Sequence, residues 1–182
     1  MRELSLHILD IAQNSIAASA SIIEIYIDEN SIQDRLTIRI ADNGRGIPQH
    51  QLAQVMDPFF TSRKTRGVGL GLALFAQAAK GAEGELLIDS NVGTGTTVTA
   101  TFRYSHIDRA PLGDLAGTLL GVIMLNPEVE VVYQHTCLER TLCIDTREIK
   151  SELGSIAINH PAVMNWLEGF VREGIDDLYG GE

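Results

Sequence analysis

The feature that most constrains this chain is a strand that stops on a carboxylate. Residues 35–41, Arg-Leu-Thr-Ile-Arg-Ile-Ala, alternate polar and apolar with the period of a half-buried strand. Asp42-Asn43-Gly44-Arg45-Gly46 then breaks the pattern. Two glycines so close together let the backbone turn sharply and come close to a flat ligand. Asp42 is then held at the strand end, where its carboxylate can accept a hydrogen bond from an exocyclic amino group such as adenine N6. A tight turn capped by Asp and Asn explains the same five residues without any ligand. Its neighbours in the sequence must therefore decide.

Residues 4–18 read as a helix with an apolar side (Leu4, Ile8, Ile11, Ser15, with Leu9, Ala12 and Ile16 beside it) and a polar stripe (His7, Asp10, Asn14, Ala17). Asp10 and Asn14 are one turn apart and point the same way. A carboxylate and an amide so placed can share a hydrated Mg²⁺, which prefers hard oxygen ligands and keeps its waters while bridging phosphates. Ile22–Ile27 alternates as a strand, with a hairpin loop at 30–34 before the strand at 35–41. Pro48 opens a short helix to about Val55, and 57–66 reads as a loop. A helix over 72–80 closes at Gly81. Strands at 85–90 and 96–104 flank the turn Asn91-Val92-Gly93-Thr94-Gly95.

Gly67-Val68-Gly69-Leu70-Gly71 opens the helix at 72–80, presenting backbone N–H groups and a positive helix end to an anion. A dinucleotide-binding fingerprint needs a strand before it and another glycine three residues on; here a basic loop precedes G-x-G-x-G, so that site is rejected. The lysine-plus-hydroxyl phosphate loop is also absent. Gly93-Thr94-Gly95-Thr96-Thr97 enters the last strand of this region.

Together the order and spacing of these elements resemble the N, G1, F, G2 and G3 boxes of the Bergerat-fold (GHKL) ATPases. This superfamily holds gyrase-type topoisomerases, ninety-kilodalton heat-shock chaperones, histidine kinases and mismatch-repair ATPases. The resemblance covers about residues 4–103. Asp42–Ile47, Asp57-Pro58-Phe59-Phe60-Thr61-Ser62 and Gly67–Ala73 look most like histidine kinases, and Asp10–Ala20 is also similar to the mismatch-repair form. The resemblance implies an α/β (α+β) two-layer sandwich with a mixed, mainly antiparallel sheet, helices 4–18 and 70–80 on one face, and ATP with Mg²⁺ as cofactors. It implies that Asn14 coordinates Mg²⁺, that Asp42 binds adenine N6, and that Gly44 and Gly46 let the base approach. Gly67, Gly69 and Gly71 would bind phosphate, and Thr97 would assist at the adenine. Phe59 and Phe60 would anchor a lid from which Arg63, Lys64 or Arg66, Lys64 first among them, reaches the γ-phosphate.

Departures from the family pattern carry information. Hydrolysing members place Glu where this chain has Asp10, one methylene shorter as a water-activating base, so fast hydrolysis is not expected. No phosphoacceptor histidine box precedes the pocket in this sequence, and His7 is expected to line the pocket rim rather than accept phosphate.

Residues 105–182 read as a small accessory α/β module beside an ATP-binding domain at 1–104. A helix from Pro111 ends before Asn126-Pro127, a hairpin covers 129–135 and 140–144, and Asp145 caps a short helix with Glu148 at N3. A last helix from Asn159-His160-Pro161 stops at Gly174, and the tail 176–182 is expected to be loose. This module is expected to cover the sheet's other face or to meet a partner. His106, Asp108, His135 and His160 lack metal-ligand spacing, and two cysteines are too few for a disulfide framework or an iron–sulfur cluster. Residues 106–114 resemble extensions of small stand-alone ATPases encoded near iron-only hydrogenases; no role follows from that.

A net charge of -10 disfavours nucleic acid and anionic lipid as partners. The longest apolar run, 115–125, is too short to span a bilayer, and no signal peptide is read at the start, so a cytoplasmic location is expected. Two functions fit: a stand-alone histidine-kinase-like or anti-sigma-factor-like kinase or weak ATPase acting on a separate phosphoacceptor protein, and a non-catalytic ATP-gated switch. The first is preferred. The oligomeric state stays open, a homodimer included.

Overall fold

The computed structural model describes residues 3–55 and 71–180. Helix α1 (Leu4–Ala17) leads into the hairpin β1 (Ile22–Asn30) and β2 (Arg35–Asp42), then α2 (Gln49–Val55). Helix α3 (Gly71–Gly81) precedes β3 (Leu86–Asn91) and β4 (Gly95–Arg103). Next come α4 (Leu115–Leu125), β5 (Glu130–Cys137), β6 (Arg140–Asp145), α5 (Thr146–Leu153) and α6 (Pro161–Leu178). The strands form one six-stranded sheet in the order β3-β4-β2-β1-β5-β6. All neighbouring pairs are antiparallel except β1 with β5. The expected mixed, mainly antiparallel two-layer architecture is thus the observed one.

Period-two alternation drives the sheet. Ile23, Ile25, Ile27 and Glu29 of β1, Leu36, Ile38 and Ile40 of β2, and Val98, Ala100 and Phe102 of β4 are buried on one face. Helix α1 lays Leu4, Ile8, Ile11 and Ala12 onto that face and packs against α3 on one side and α4 on the other. Helix α4 is apolar nearly all round because it is sandwiched between α1 and α6. The β1–β5 pairing, from Ile22↔Glu130 to Glu29↔Cys137, carries the sheet past the boundary expected at residue 104.

Four expectations are corrected. The C-terminal helices do not cover the sheet's other face: α4 and α6 extend the same helical layer, and Glu24 and Arg39 stay 38% and 46% exposed on the open side. Helix α4 starts at Leu115 rather than Pro111, because Asp114 caps it by accepting from Gly117 N, while Pro111 and Leu112 carbonyls accept from Leu4 N and Ser5 N. Helix α6 runs through Gly174 to Leu178. A Cβ at Gly174 would lie 2.7 Å from Leu142 Cδ1, so this glycine lets the helix lie close on β6 instead of ending it. The described part of the tail is held as well, since Tyr179 donates its hydroxyl to Glu29.

Among the described residues no helix is long and apolar enough to cross a membrane.

Candidate functional site

The end of β2 is where the sequence elements converge. Asp42 is half-buried, and each of its carboxylate oxygens already has one protein donor: Gly44 N–H gives to Oδ1 at 2.8 Å and the Ser15 hydroxyl to Oδ2 at 2.7 Å. An ionised carboxylate has about four lone-pair sites, so acceptor capacity remains. Ser15 is buried on the sheet side of α1, next in sequence to the half-buried Asn14. The same hydroxyl lies 3.1 Å from Ile11 O, so it ties the helix to the strand end.

The loop after Asp42 is gripped on both sides. Asn43 Oδ1 accepts from Ser21 N and Ile22 N, both at 2.9 Å, and so fixes the corner between α1 and β1. Arg45 N donates to Ala18 O at 3.0 Å, and a Cβ at Gly44 would come within 2.9 Å of Ala18. Gly46 has φ +71, and a Cβ there would meet Asn91 O at 2.1 Å. The structure therefore shows Gly46 making room for the turn between β3 and β4. Ser90 is the hub of that contact: its Oγ accepts from Ile47 N at 2.8 Å, lies 2.8 Å from Thr96 Oγ1 and donates to Gly95 O at 2.9 Å. Its own carbonyl accepts from Gln49 Nε2 at 3.1 Å.

Register decides which threonine faces the carboxylate. Asp42 pairs with Thr96 and Ala41 with Thr97. Side chains alternate across a strand, so Thr96 shares the helical face with Asp42 while Thr97, the residue chosen from sequence, points to the open face. Gly95 between the elements has φ +126, and a Cβ there would fall 1.9 Å from Asp42 O.

Asp10 lies against the start of α3: a Cβ on Gly71 would come 2.7 Å from Asp10 Oδ2. The positive end of α3 thus faces the stripe of α1 that carries Asp10 and Asn14. Of the glycines expected to bind phosphate, Gly71 is placed here, while Gly67 and Gly69 lie outside the described residues, as do Phe59, Phe60, Arg63, Lys64 and Arg66.

His7 is not at the pocket rim. It is 2% exposed, stacks on Phe75 with ring centroids 4.8 Å apart, and its Nδ1 has no hydrogen-bond partner among the described residues. Burial lowers its pKa to about 4. A neutral, stacked imidazole belongs to the α1–α3 core.

The sequence does not mark Ser15 or Ser90 as holding the Asp42 loop. The available signal was a serine on an otherwise apolar helical row for Ser15 and a serine at a strand end for Ser90, neither of which names its partner.

Residues 2–106 match the family described as histidine kinase-, DNA gyrase B-, and HSP90-like ATPase. The chain is 34% identical over 91 residues to the sensor protein kinase WalK of Staphylococcus haemolyticus, a match covering 47% of this chain and 15% of that protein. WalK of Staphylococcus aureus is likewise 34% identical over 91 residues, with 22% of its length covered. The match thus spans less than a quarter of either curated relative. A crystal structure of the N-terminal domain of a DNA repair protein shares the fold with a TM-score of 0.59 at 14% identity, covering 99% of this chain and 57% of that one. The chain belongs to the histidine kinase-, DNA gyrase B-, and HSP90-like ATPase family, through a domain most of whose elements meet around Asp42.

Proposed function

We propose that this chain binds ATP with Mg²⁺ at the Asp42 end of the sheet and acts as a histidine-kinase-like phosphotransferase on a separate protein in the cytoplasm. The observation that carries this reading is the Asp42 carboxylate, oriented by Ser15 and Gly44 yet left with free lone pairs at a half-buried strand end. Such an acceptor fits the adenine amino group. Thr96, paired with Asp42 and on the same face, supports the base in this reading, while Thr97 lies on the opposite face. Asn14 and Asp10 supply hard oxygens on one helical face, which suits Mg²⁺ held between protein and phosphates. In this reading Gly67, Gly69 and Gly71 would present N–H groups to phosphate, and Lys64 would contact the γ-phosphate. Bound Mg²⁺ would neutralise charge developing on the transferred group. Asp10 is short for a water-activating base, which favours transfer to a protein over hydrolysis.

Calorimetric titration tests binding: ATP should bind more tightly than GTP, which presents a carbonyl where adenine has N6. Incubation with γ-labelled ATP and a lysate of the source cells tests transfer. A labelled second protein that disappears with Asn14→Ala is expected. Slow phosphate release without a labelled protein points to a weak ATPase.

A second reading, an ATP-gated switch, is favoured by one contact. Helix α4 packs on α1, the helix that carries Asp10 and Asn14, so a movement of α1 reaches the C-terminal segment directly. Absence of turnover, with ATP-dependent hydrogen-exchange protection of residues 57–67, would select it.

A further inference from the structure

Helix α6 carries a wider apolar stripe than the fold covers. Val163, Leu167, Val171 and Leu178 are buried against the rest of the molecule. Trp166 and Phe170 precede two of them by one position and stay 55% and 42% exposed. Their rings stack, centroids 5.5 Å apart and 14° from parallel. A preformed aromatic pair presents a large contact area with little conformational freedom left to lose. Trp166 forms one wall of an open groove of about 970 Å³, whose other wall is α5 with Ile149, Leu153, Glu148 and Glu152.

The charges of that wall are not balanced within the chain. Asp145 is paired with Arg147 at 2.6 Å, and Glu130 with Lys150 at 2.9 Å. Glu148 and Glu152 have no cationic partner among the described residues. They stand four positions apart on one helix, where like charges repel. Glu152 also sits in the last turn of α5, where the helix dipole disfavours an anion. A cation supplied from outside would relieve both conflicts.

We propose that the α5–α6 groove docks a basic amphipathic helix of a partner protein. Its apolar side chains would lie on Trp166, Phe170 and Leu153, and its Lys or Arg residues would meet Glu148 and Glu152. A second copy of this chain is a poor occupant, because it would bring the same acidic wall and a net charge of -10. An anionic membrane is repelled for the same reason. The groove lies outside the Asp42 site, so the proposal does not depend on what ATP does there.

Trp166 is the chain's only tryptophan, so its emission reports on the groove directly. The probe is a leucine–lysine amphipathic peptide of about 18 residues, roughly the 27 Å length of α6. Titrated into the full chain, it should shift Trp166 emission to the blue saturably and shield it from acrylamide. A leucine–glutamate peptide of the same length should do neither. Glu148→Lys with Glu152→Lys should weaken binding by about tenfold or more, two charge reversals near the groove. Glu85→Lys with Asp89→Lys, at the opposite edge of the sheet, should leave it unchanged. ATP titration of each variant separates this result from the fate of the nucleotide site. Equal responses to both peptides, or undiminished binding by the Glu148/Glu152 variant, would overturn the proposal. So would a blue shift that grows with the chain's own concentration in the absence of peptide, which would assign the groove to a second copy.

Discussion

Two carboxylates at opposite ends of the β1–β2 hairpin show how the same group serves fold or ligand. Asp42 lies beside Ile23 at one end, and Glu29 beside Leu36 at the other, roughly 20 Å away along β1. Both point to the helical face. Glu29 is 4% exposed; its Oε1 bonds His135 Nε2 at 2.8 Å and accepts from the Tyr179 hydroxyl, while Tyr133 bonds the other ring nitrogen of His135 at 3.0 Å. Burial alone would raise the Glu29 pKa, but the bonds from His135 and Tyr179 outweigh it and hold the carboxyl below its ordinary range. Asp42 is only half-buried and has one donor on each oxygen. A buried carboxylate drawn into a closed network is structural; one oriented by the protein and left with free acceptor capacity is available to a ligand, the role proposed for Asp42.

The largest effect is expected at the buried end. Glu29→Ala leaves His135 and Tyr179 without their shared acceptor and should lower stability by about 3 kcal/mol in urea unfolding. ATP affinity of the folded fraction should hardly change. A large loss of ATP affinity in the folded protein would erase the distinction between the two ends.

Acid should expose the second-largest effect through His7. Its folded pKa of about 4 lies below the ordinary 6.5, so the unfolded chain takes up the proton first as pH falls. The stabilisation held by the neutral ring is full above pH 6.5 and is lost progressively towards pH 4, on the order of 3 kcal/mol. Glu29, with a lowered folded pKa, adds a further loss below its ordinary 4.5. His7→Phe should flatten the upper part of the stability–pH curve and Glu29→Gln the lower part. An unchanged curve in His7→Phe would remove His7 from this role.

At the Asp42 end the readout is affinity rather than stability. Asp42→Asn should weaken ATP binding by about 1–3 kcal/mol, because a donor amide now meets the adenine amino group. Unchanged calorimetric affinity would mean the nucleotide sits elsewhere. The smallest effect sharpens the register assignment. Thr96→Val should reduce ATP affinity by about 1 kcal/mol, while Thr97→Val should stay close to the parent. The reverse order would restore Thr97.

Much of this was legible before any coordinates. The strand ending at Asp42, the helix with Asp10 and Asn14 one turn apart, and the Asp145 cap depend on neighbours within a few positions, and the structure has each of them. Sequence spacing does not separate Thr96 from Thr97; the register puts Thr96, not the expected Thr97, on the face of Asp42, because a one-residue step moves a strand side chain to the other face. Gly174 read as a helix end because a missing side chain is the same signal whether the chain turns there or another element packs close.

The sequence by itself determined most of the local elements, the family and the position of Asp42 at a strand end, because periodicity, caps and glycine punctuation are short-range. Tertiary structure alone decided that β5 joins β1 in parallel, that Ser15 and Ser90 hold the Asp42 loop, and that Glu29 is closed off by His135, a residue 106 positions away. Those contacts form only when distant segments share one buried face. Their residues carry no local mark of the partner they will meet.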